Sequence, residues 1–261
     1  MSSRREQKDE ARAARIAAEG DERAAARRRR LQRLAIVAGL AVALVAATVA
    51  ITQSGSDGEE GELASQGAEV EALFAGIPQE GISLGEADAP AVMREFADPQ
   101  CPFCADYALD VLPEIVDRYV RPGDLRLELD LLTFIGPDSE RAARVAHAAG
   151  EQDRMWEFVE LLFRNQGAEG SGWATDELLR ELAEATPGLD ADRALDARDS
   201  EAVDAQLVAS QERAANLRVD STPSFFVSRE GGQVEPLEVS ALELGAFADQ
   251  LDPLLDGGPG G

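Results

Sequence analysis

Residues 91–104 read AVMREFADPQCPFC, and this stretch decides the fold. Ala91 to Ala97 forms a short apolar strand, ended by Asp98-Pro99. From Cys101 the pattern turns helical. Ala105, Ala108, Leu109, Leu112, Ile115, Val116, Tyr119 and Val120 recur at spacings of three and four, giving one apolar face. Pro113 falls inside that face and is expected to kink the helix or break it in two. Leu125 to Leu131 (LRLELDL) alternates apolar with charged, which predicts a strand with one wet face. Strand, helix and strand together make a βαβ unit, whose crossover is right-handed and whose strands are parallel.

The chemistry sits where that strand meets that helix. Cys101-Pro102-Phe103-Cys104 holds both cysteines of the chain. A helix start presents free N–H groups and about half a positive charge, which favours a thiolate. In motifs so placed the first thiol falls from ~8.5 to ~3.5–7. Cys101 is therefore the expected nucleophile and Cys104, one turn in, the resolving thiol. A plain stabilising disulfide is the competing reading. A bridge closing so short a loop removes little entropy from the unfolded chain, so the redox reading is preferred. A metal site is a third reading, and the residues give it little: His147 is the single histidine, and Met93 and Met155 are isolated.

Working outward, a helical block follows, with periodic segments at Ser139 to Gly150, Gln152 to Asn165, Thr175 to Ala185 and Ser200 to Asn216. Pro223 to Val227 (PSFFV) reads as a strand, Gly231-Gly232 as a hairpin turn, and Val234 to Val239 as the return strand. Ser240 is placed to cap a last helix running to about Leu255. The class is α/β with a helical insertion over about 138–217.

Upstream, Leu34 to Ile51 (LAIVAGLAVALVAATVAI) is uncharged. As a helix it spans ~27 Å, close to the ~30 Å hydrocarbon core of a bilayer. Arg27 to Arg30 and Arg33 precede it, so the positive-inside rule keeps the N-terminus cytoplasmic and the rest extracytoplasmic. A cleaved signal peptide competes, with Thr48-Val49-Ala50 as a fair cleavage site, but residues 1–33 make a long leading region. A single-pass signal-anchor over 34–52 is preferred, after a basic cytoplasmic segment (1–33). Gln53 to Ala68 is rich in Gly, Ser and Glu, so 53–75 is expected to be a flexible linker, 76–256 the folded domain and 257–261 a disordered tail.

Composition narrows the function further. The 261 residues carry a net charge of −25, with one Lys (Lys8) against 24 Arg. That acidity argues against a nucleic-acid partner. Two cysteines and one histidine cannot build a Cys₄ or Cys₂His₂ zinc site. The excess of negative charge is chiefly a solvated surface. His147 reads as a surface or packing residue, and Trp156, Phe158, Leu161, Leu162 and Phe163 as mostly core.

Two stretches, ISLGEADAPAVMREFADPQCPFC (Ile82 to Cys104) and STPSFFV (Ser221 to Val227), carry a resemblance. In this order, with several helices between them, they resemble the membrane-anchored, single-domain DsbA-like thiol–disulfide oxidoreductases of the thioredoxin superfamily. The resemblance covers about residues 76–255. It implies a thioredoxin-like fold in which the helical insertion caps the active site and the LRLELDL strand lies towards the sheet edge. It further implies a cis-proline at Pro223 facing the cysteines, with Thr222 against the Cys101 sulfur. Glu95 matches a buried acid beneath the disulfide that shuttles the proton of Cys104. An ordinary trans turn proline and a surface strand residue are the other readings of Pro223 and Glu95. Pro102 and Phe103 tune the pair, and Phe103 departs from the His of the most oxidising members.

The expected activity is thiol–disulfide exchange on exported proteins through the Cys101–Cys104 pair, with no cofactor beyond that disulfide. The resemblance also implies a quinone-linked membrane reoxidant. Two rivals stand beside it: a reductant in an extracytoplasmic electron-transfer pathway, and a non-catalytic chaperone or metallochaperone.

Overall fold

The computed structural model describes residues 61–229 and 232–256. The basic segment, the proposed membrane span, residues 53–60, the tail and Gly231 lie outside the described residues. Among the described residues no helix is long and apolar enough to cross a membrane.

Six strands form one sheet. They are β1 (Gln79–Glu80), β2 (Ser83–Leu84), β3 (Ala91–Ala97), β4 (Leu125–Leu131), β5 (Ser224–Arg229) and β6 (Glu235–Pro236), in the spatial order β1-β2-β4-β3-β5-β6. β3 pairs with β4 in parallel, Ala91 opposite Leu125 and Ala97 opposite Leu131. It pairs with β5 antiparallel, Glu95 opposite Phe225. The strand that ends at the cysteines is thus flanked on both sides along its length, which fixes the height at which Cys101 emerges.

The crossover from β3 to β4 is one helical run in four pieces: α2 (Pro102–Asp106), a π-helical turn (Tyr107–Val111), α3 (Leu112–Ile115) and a second π turn (Val116–Val120). The run changes type next to Pro113. The proline sits at the start of α3, just after a wide turn in which the Leu112 N–H donates five residues back to the Tyr107 carbonyl. That turn takes up the place where the proline has no N–H to give.

Beyond β4 come α4 (Pro137–Gly150), α5 (Met155–Arg164), α6 (Asp176–Ala185), α7 (Ala191–Ala197) and α8 (Glu201–Leu217), then α9 (Leu244–Asp256) after the last strand. Ser200 caps α8 by accepting from the Val203 N–H, and Thr175 caps α6 by accepting from Leu178. α7 has no counterpart in the periodicity. Its seven residues are too few to show one, and it starts on Asp190, whose carboxylate accepts from Arg193 N–H.

The two faces of β3 divide the core. Ala91, Met93, Ala97 and the cysteines join the main cluster with Tyr107, Phe158 and Leu162, whereas Phe96 faces Phe226, Leu132 and Ala214 under α8. Phe225, Tyr107 and Phe247 pack as a trio, with centroids 4.6 Å, 5.0 Å and 5.5 Å apart. Phe247 is how α9 closes the sheet beside β5.

Several boundaries differ from the sequence reading. Residues 61–74 are not a flexible linker: they form a helix, α1, that buries Val70 and Phe74, the latter edge-on to Trp156 at 6.4 Å. Leu63, Val70, Leu73 and Phe74 suffice in a Gly- and Glu-rich stretch because they share one helix face. The return strand shrinks to Glu235–Pro236, and residues 240–243 are bends, so Ser240 caps nothing and the last helix begins at Leu244. β4 lies inside the sheet, between β3 and the two-residue β2. Its charged face is not wet throughout. Asp130 is fully buried and accepts from Ser210 Oγ (2.7 Å), Arg94 (2.9 Å) and Arg213 (3.0 Å). α8 covers this end of the strand and supplies the partners that make the buried charge tolerable.

Candidate active site

Cys101 occupies the N-cap of α2, with Pro102 in the first turn, where its missing N–H costs nothing. Both cysteines are present as free thiols and both are buried as residues, Cys104 completely. Pro102 and Phe103 stand out into solvent, Phe103 at 61% exposure. The Cys101 sulfur is 3.2 Å from the Thr222 carbonyl, to which it donates while the thiol is protonated, and the Thr222–Pro223 peptide bond is cis. The strand-start loop of β5 and the helix start of α2 therefore meet at one sulfur atom.

The two thiols have opposite electrostatics. Cys101 is lowered to about 6, first by the hydrogen bond from the Cys104 thiol, then by the Thr222 side chain and the backbone N–H groups of Cys104 and Phe103; partial burial works against them. Cys104 is driven far above the ordinary thiol range, chiefly by burial, then by its hydrogen bond to Cys101 and the nearby Glu95. At neutral pH the first is a thiolate and the second holds its proton.

Glu95 projects from the centre of β3 onto the same face and is 4% exposed. Burial first, then the charges of Glu160 and Cys101, raise its carboxyl to about 8. Tyr107, buried above it, has a hydroxyl without a hydrogen-bond partner, and burial and Glu95 raise that phenol well above its ordinary value.

The loop before the motif is held by groups that sequence reading missed. Asp98 accepts from the Gln100 and Ile135 N–H groups (2.9 and 3.2 Å) and from Ser139, and its N–H-facing carbonyl accepts from Cys101 N–H at 2.9 Å. Gln100 donates to Ser139 Oγ (2.9 Å) and accepts from Gly170 N–H (2.8 Å). Gln166, beyond α5, donates to the carbonyls of Pro99 and Cys101 at 2.8 and 3.1 Å. A glutamine between helices looks like surface in one dimension, and only the fold brings it to the cysteines. Glu160 was missed likewise, because it lies in an amphipathic helix where a glutamate usually faces water.

His147 lines a cavity that includes neither cysteine, about 330 Å³ in volume and shared with Ile82, Ser83, Met155 and Gln206. The imidazole is buried and lowered to about 4, mainly by that burial. No group of three or more His, Cys, Asp or Glu side chains among the described residues is placed to hold a metal.

A strand ending in a Cys-X-X-Cys helix start, opposed by a cis-proline loop, defines a thioredoxin-fold dithiol oxidoreductase site. The family model described as Thioredoxin matches residues 78–243, and the chain belongs to that family. It is 29% identical over 202 residues to a probable disulfide bond formation protein D of Bacillus cereus, covering 76% of this chain and 88% of that one. It is 28% identical over 147 residues to disulfide bond formation protein D of Bacillus subtilis, covering 56% of this chain and 66% of that one. The structure of oxidised BdbD from Bacillus subtilis superposes with a TM-score of 0.59 at 24% identity, over 69% of this chain and 98% of that one. The chain is a DsbA-like protein disulfide oxidoreductase.

Proposed function

We propose that this protein works in the oxidative direction, transferring its Cys101–Cys104 disulfide to exported proteins from a position tethered to the outer face of the membrane. The observation that carries the reading is the asymmetry of the thiols. A Cys101 lowered to about 6 is a good leaving group and stabilises the reduced protein, so the disulfide is readily given up. A substrate thiolate attacks Cys101 Sγ; the bond to Cys104 breaks and its electron pair leaves with Cys104, which takes a proton. A second substrate thiolate attacks the mixed disulfide, and Cys101 departs as a thiolate. Cys101 and Cys104 are the catalytic pair, Glu95 the proton donor to Cys104, and Thr222 and Pro223 the backbone against which a substrate strand pairs.

Two exposed rings support a protein substrate. Phe103 lies inside the motif, and Phe134, 58% exposed, is next to Ile135, whose N–H is tied to Asp98. Phe103 presents apolar surface within the motif and Phe134 on the loop tied to Asp98, both suited to unfolded segments. The apolar run Leu34 to Ile51 behind five arginines supports the tether, with the N-terminus cytoplasmic. Reoxidation falls to a quinone-linked membrane protein, and no nucleic acid or cofactor takes part.

The test is the reduction potential of the pair in glutathione buffers. A value near the ~−120 mV of a strong oxidant or the ~−180 mV of an isomerase carries the reading. A value near ~−270 mV refutes it and makes the protein a reductant.

A further inference from the structure

Glu160 is a buried carboxylate that the exchange chemistry leaves without a role. It lies on α5, which packs across α2 and the following π turn, on the face of β3 that Glu95 occupies. It is 1% exposed. One oxygen accepts from Arg164 Nε at 3.1 Å, and the other, Oε2, is buried with no hydrogen-bond partner. Arg164 is half-buried, and its Nη1 reaches Glu69 of α1 at 2.8 Å, a carboxylate that stands mostly in solvent. Titratable groups thus lead from the inner face of the dithiol towards the surface: Cys104 with Glu95 beside it, Glu160, whose charge acts on Glu95, and then the rim formed by Arg164 and Glu69.

Glu95 itself has no such exit. The strands on either side of β3, the α2 helix above it and Tyr107 enclose it. A donor that gives its proton to Cys104 once per turnover must be reloaded, and an enclosed carboxyl reloads only through a neighbour. A buried charge also costs several kcal/mol unless it is paired, and half of Glu160 is unpaired. Leucine at this position of an apolar helix face would fold better, so folding alone does not account for the residue.

We propose that Glu160 is the relay through which Glu95 exchanges protons with solvent at the Arg164–Glu69 rim. The inference rests on the disulfide-exchange reading above. As Cys104 leaves Cys101 it takes the proton of Glu95. The Glu95 carboxylate takes the proton of Glu160, and Glu160 is reprotonated by water at the rim. When the pair is reoxidised, the Cys104 proton leaves by the reverse route. The groups that face Glu160 suit this task. Burial raises it to about 7 against the pull of Arg164 on its own helix, while Glu95 across the interface stands at about 8 with Cys101 and Cys104 beyond. Near neutral pH the outer carboxyl is divided between its two forms and the inner one is loaded.

The experiment follows reduction of the oxidised full chain by dithiothreitol in a single turnover, across pH 5–9, for wild type, E160Q, E95Q and the double variant, with C101A as the inert control. Glutamine keeps the contact with Arg164 and removes the titrating proton. We expect E160Q to slow reduction at pH 7 at least about tenfold and to remove the inflection near pH 7, with no further slowing on top of E95Q. A second variant, R164Q, keeps both carboxylates and should move the inflection to higher pH. A merely structural Glu160 would lower the denaturation midpoint, leave the inflection in place and slow both backgrounds alike; that result overturns the relay. Failure of wild type to exceed C101A would instead overturn the exchange reading itself.

Discussion

Replacing Glu95 with leucine should make the protein more stable and less active, and the size of the first effect follows from burial. In the unfolded chain the carboxyl ionises from its ordinary 4.5; in the fold it holds its proton to about 8. A raised value means the fold prefers the protonated form. The stability it contributes is complete below pH 4.5 and is lost as pH climbs to 8. At pH 7 the two states differ over about two and a half pH decades, at about 1.36 kcal/mol per decade, so the wild type forgoes about 3 kcal/mol. Leucine has no proton to lose and joins Met93, Ala97 and Tyr107 in the apolar cluster. Urea unfolding from pH 4 to 9 should therefore give E95L an advantage that is near zero at the acid end, about 3 kcal/mol at pH 7, and level above pH 8. The gain should be smaller for the oxidised protein, where no Cys101 thiolate adds to the burial. Thiol exchange should fall by about a hundredfold, as for the loss of a positioned acid. Parallel stability curves for the two proteins over this range would refute the reasoning, since they would mean Glu95 ionises in the fold as it does in water.

Three further outcomes follow from the same geometry. Phe103→His places a cation beside the Cys101 thiolate, and should lower that thiol below about 6 and raise the reduction potential by roughly 30 mV for each 1.4 kcal/mol of added stabilisation, read in glutathione buffers. Gln166→Ala removes two donors from the carbonyls of Pro99 and Cys101, and should cost about 1–2 kcal/mol in urea unfolding while broadening the pH titration of Cys101 reactivity towards iodoacetamide. Asp130→Ala strands Arg94 and Arg213 against a closed face, and should cost about 3 kcal/mol with the Cys101 titration unchanged, because it lies on the opposite side of the sheet.

What the sequence disclosed and what it hid divide along a physical line. The βαβ core was legible because its signals are local: seven apolar-rich residues, a cysteine at a helix start, a period of three and four, a clean alternation. The same locality explains the errors. Composition makes α1 look like linker because it counts Gly and Glu, whereas the helix depends on where Val70 and Phe74 fall around its axis. LRLELDL announces a wet face, but α8 arrives from eighty residues away to cover Asp130. At the site, Cys101 and Cys104 carry their chemistry in their spacing. Thr222, Pro223 and Glu95 entered through a resemblance, since nothing local says that residue 222 touches residue 101. Gln166 and Glu160 had neither kind of signal. Their roles exist only where α5 and the residues just after it pack against the helix start that carries the cysteines.

The site shows how one helix turn separates two identical side chains. Cys101 caps the helix, where amide N–H groups converge on its sulfur and the Cys104 thiol donates to it. Cys104 lies inside, where burial outweighs its one backbone hydrogen bond and where Cys101 and Glu95 beside it both disfavour a second negative charge. Had Glu95 been a neutral residue, the inner thiol would still be buried, but it would have no acid beside it when the disulfide opens. Had Cys101 been buried like Cys104, the thiolate would be lost and the disulfide would be the more stable form. The redox poise therefore rests on where the helix begins relative to the sheet. That position is set by the pairing of β3 with β4 over Ala91–Ala97 and with β5 over Ala91–Phe96, together with the Asp98, Gln100 and Gln166 contacts that hold the loop before Cys101. A change that slides this loop by one residue would leave both cysteines in the chain and remove the difference between them.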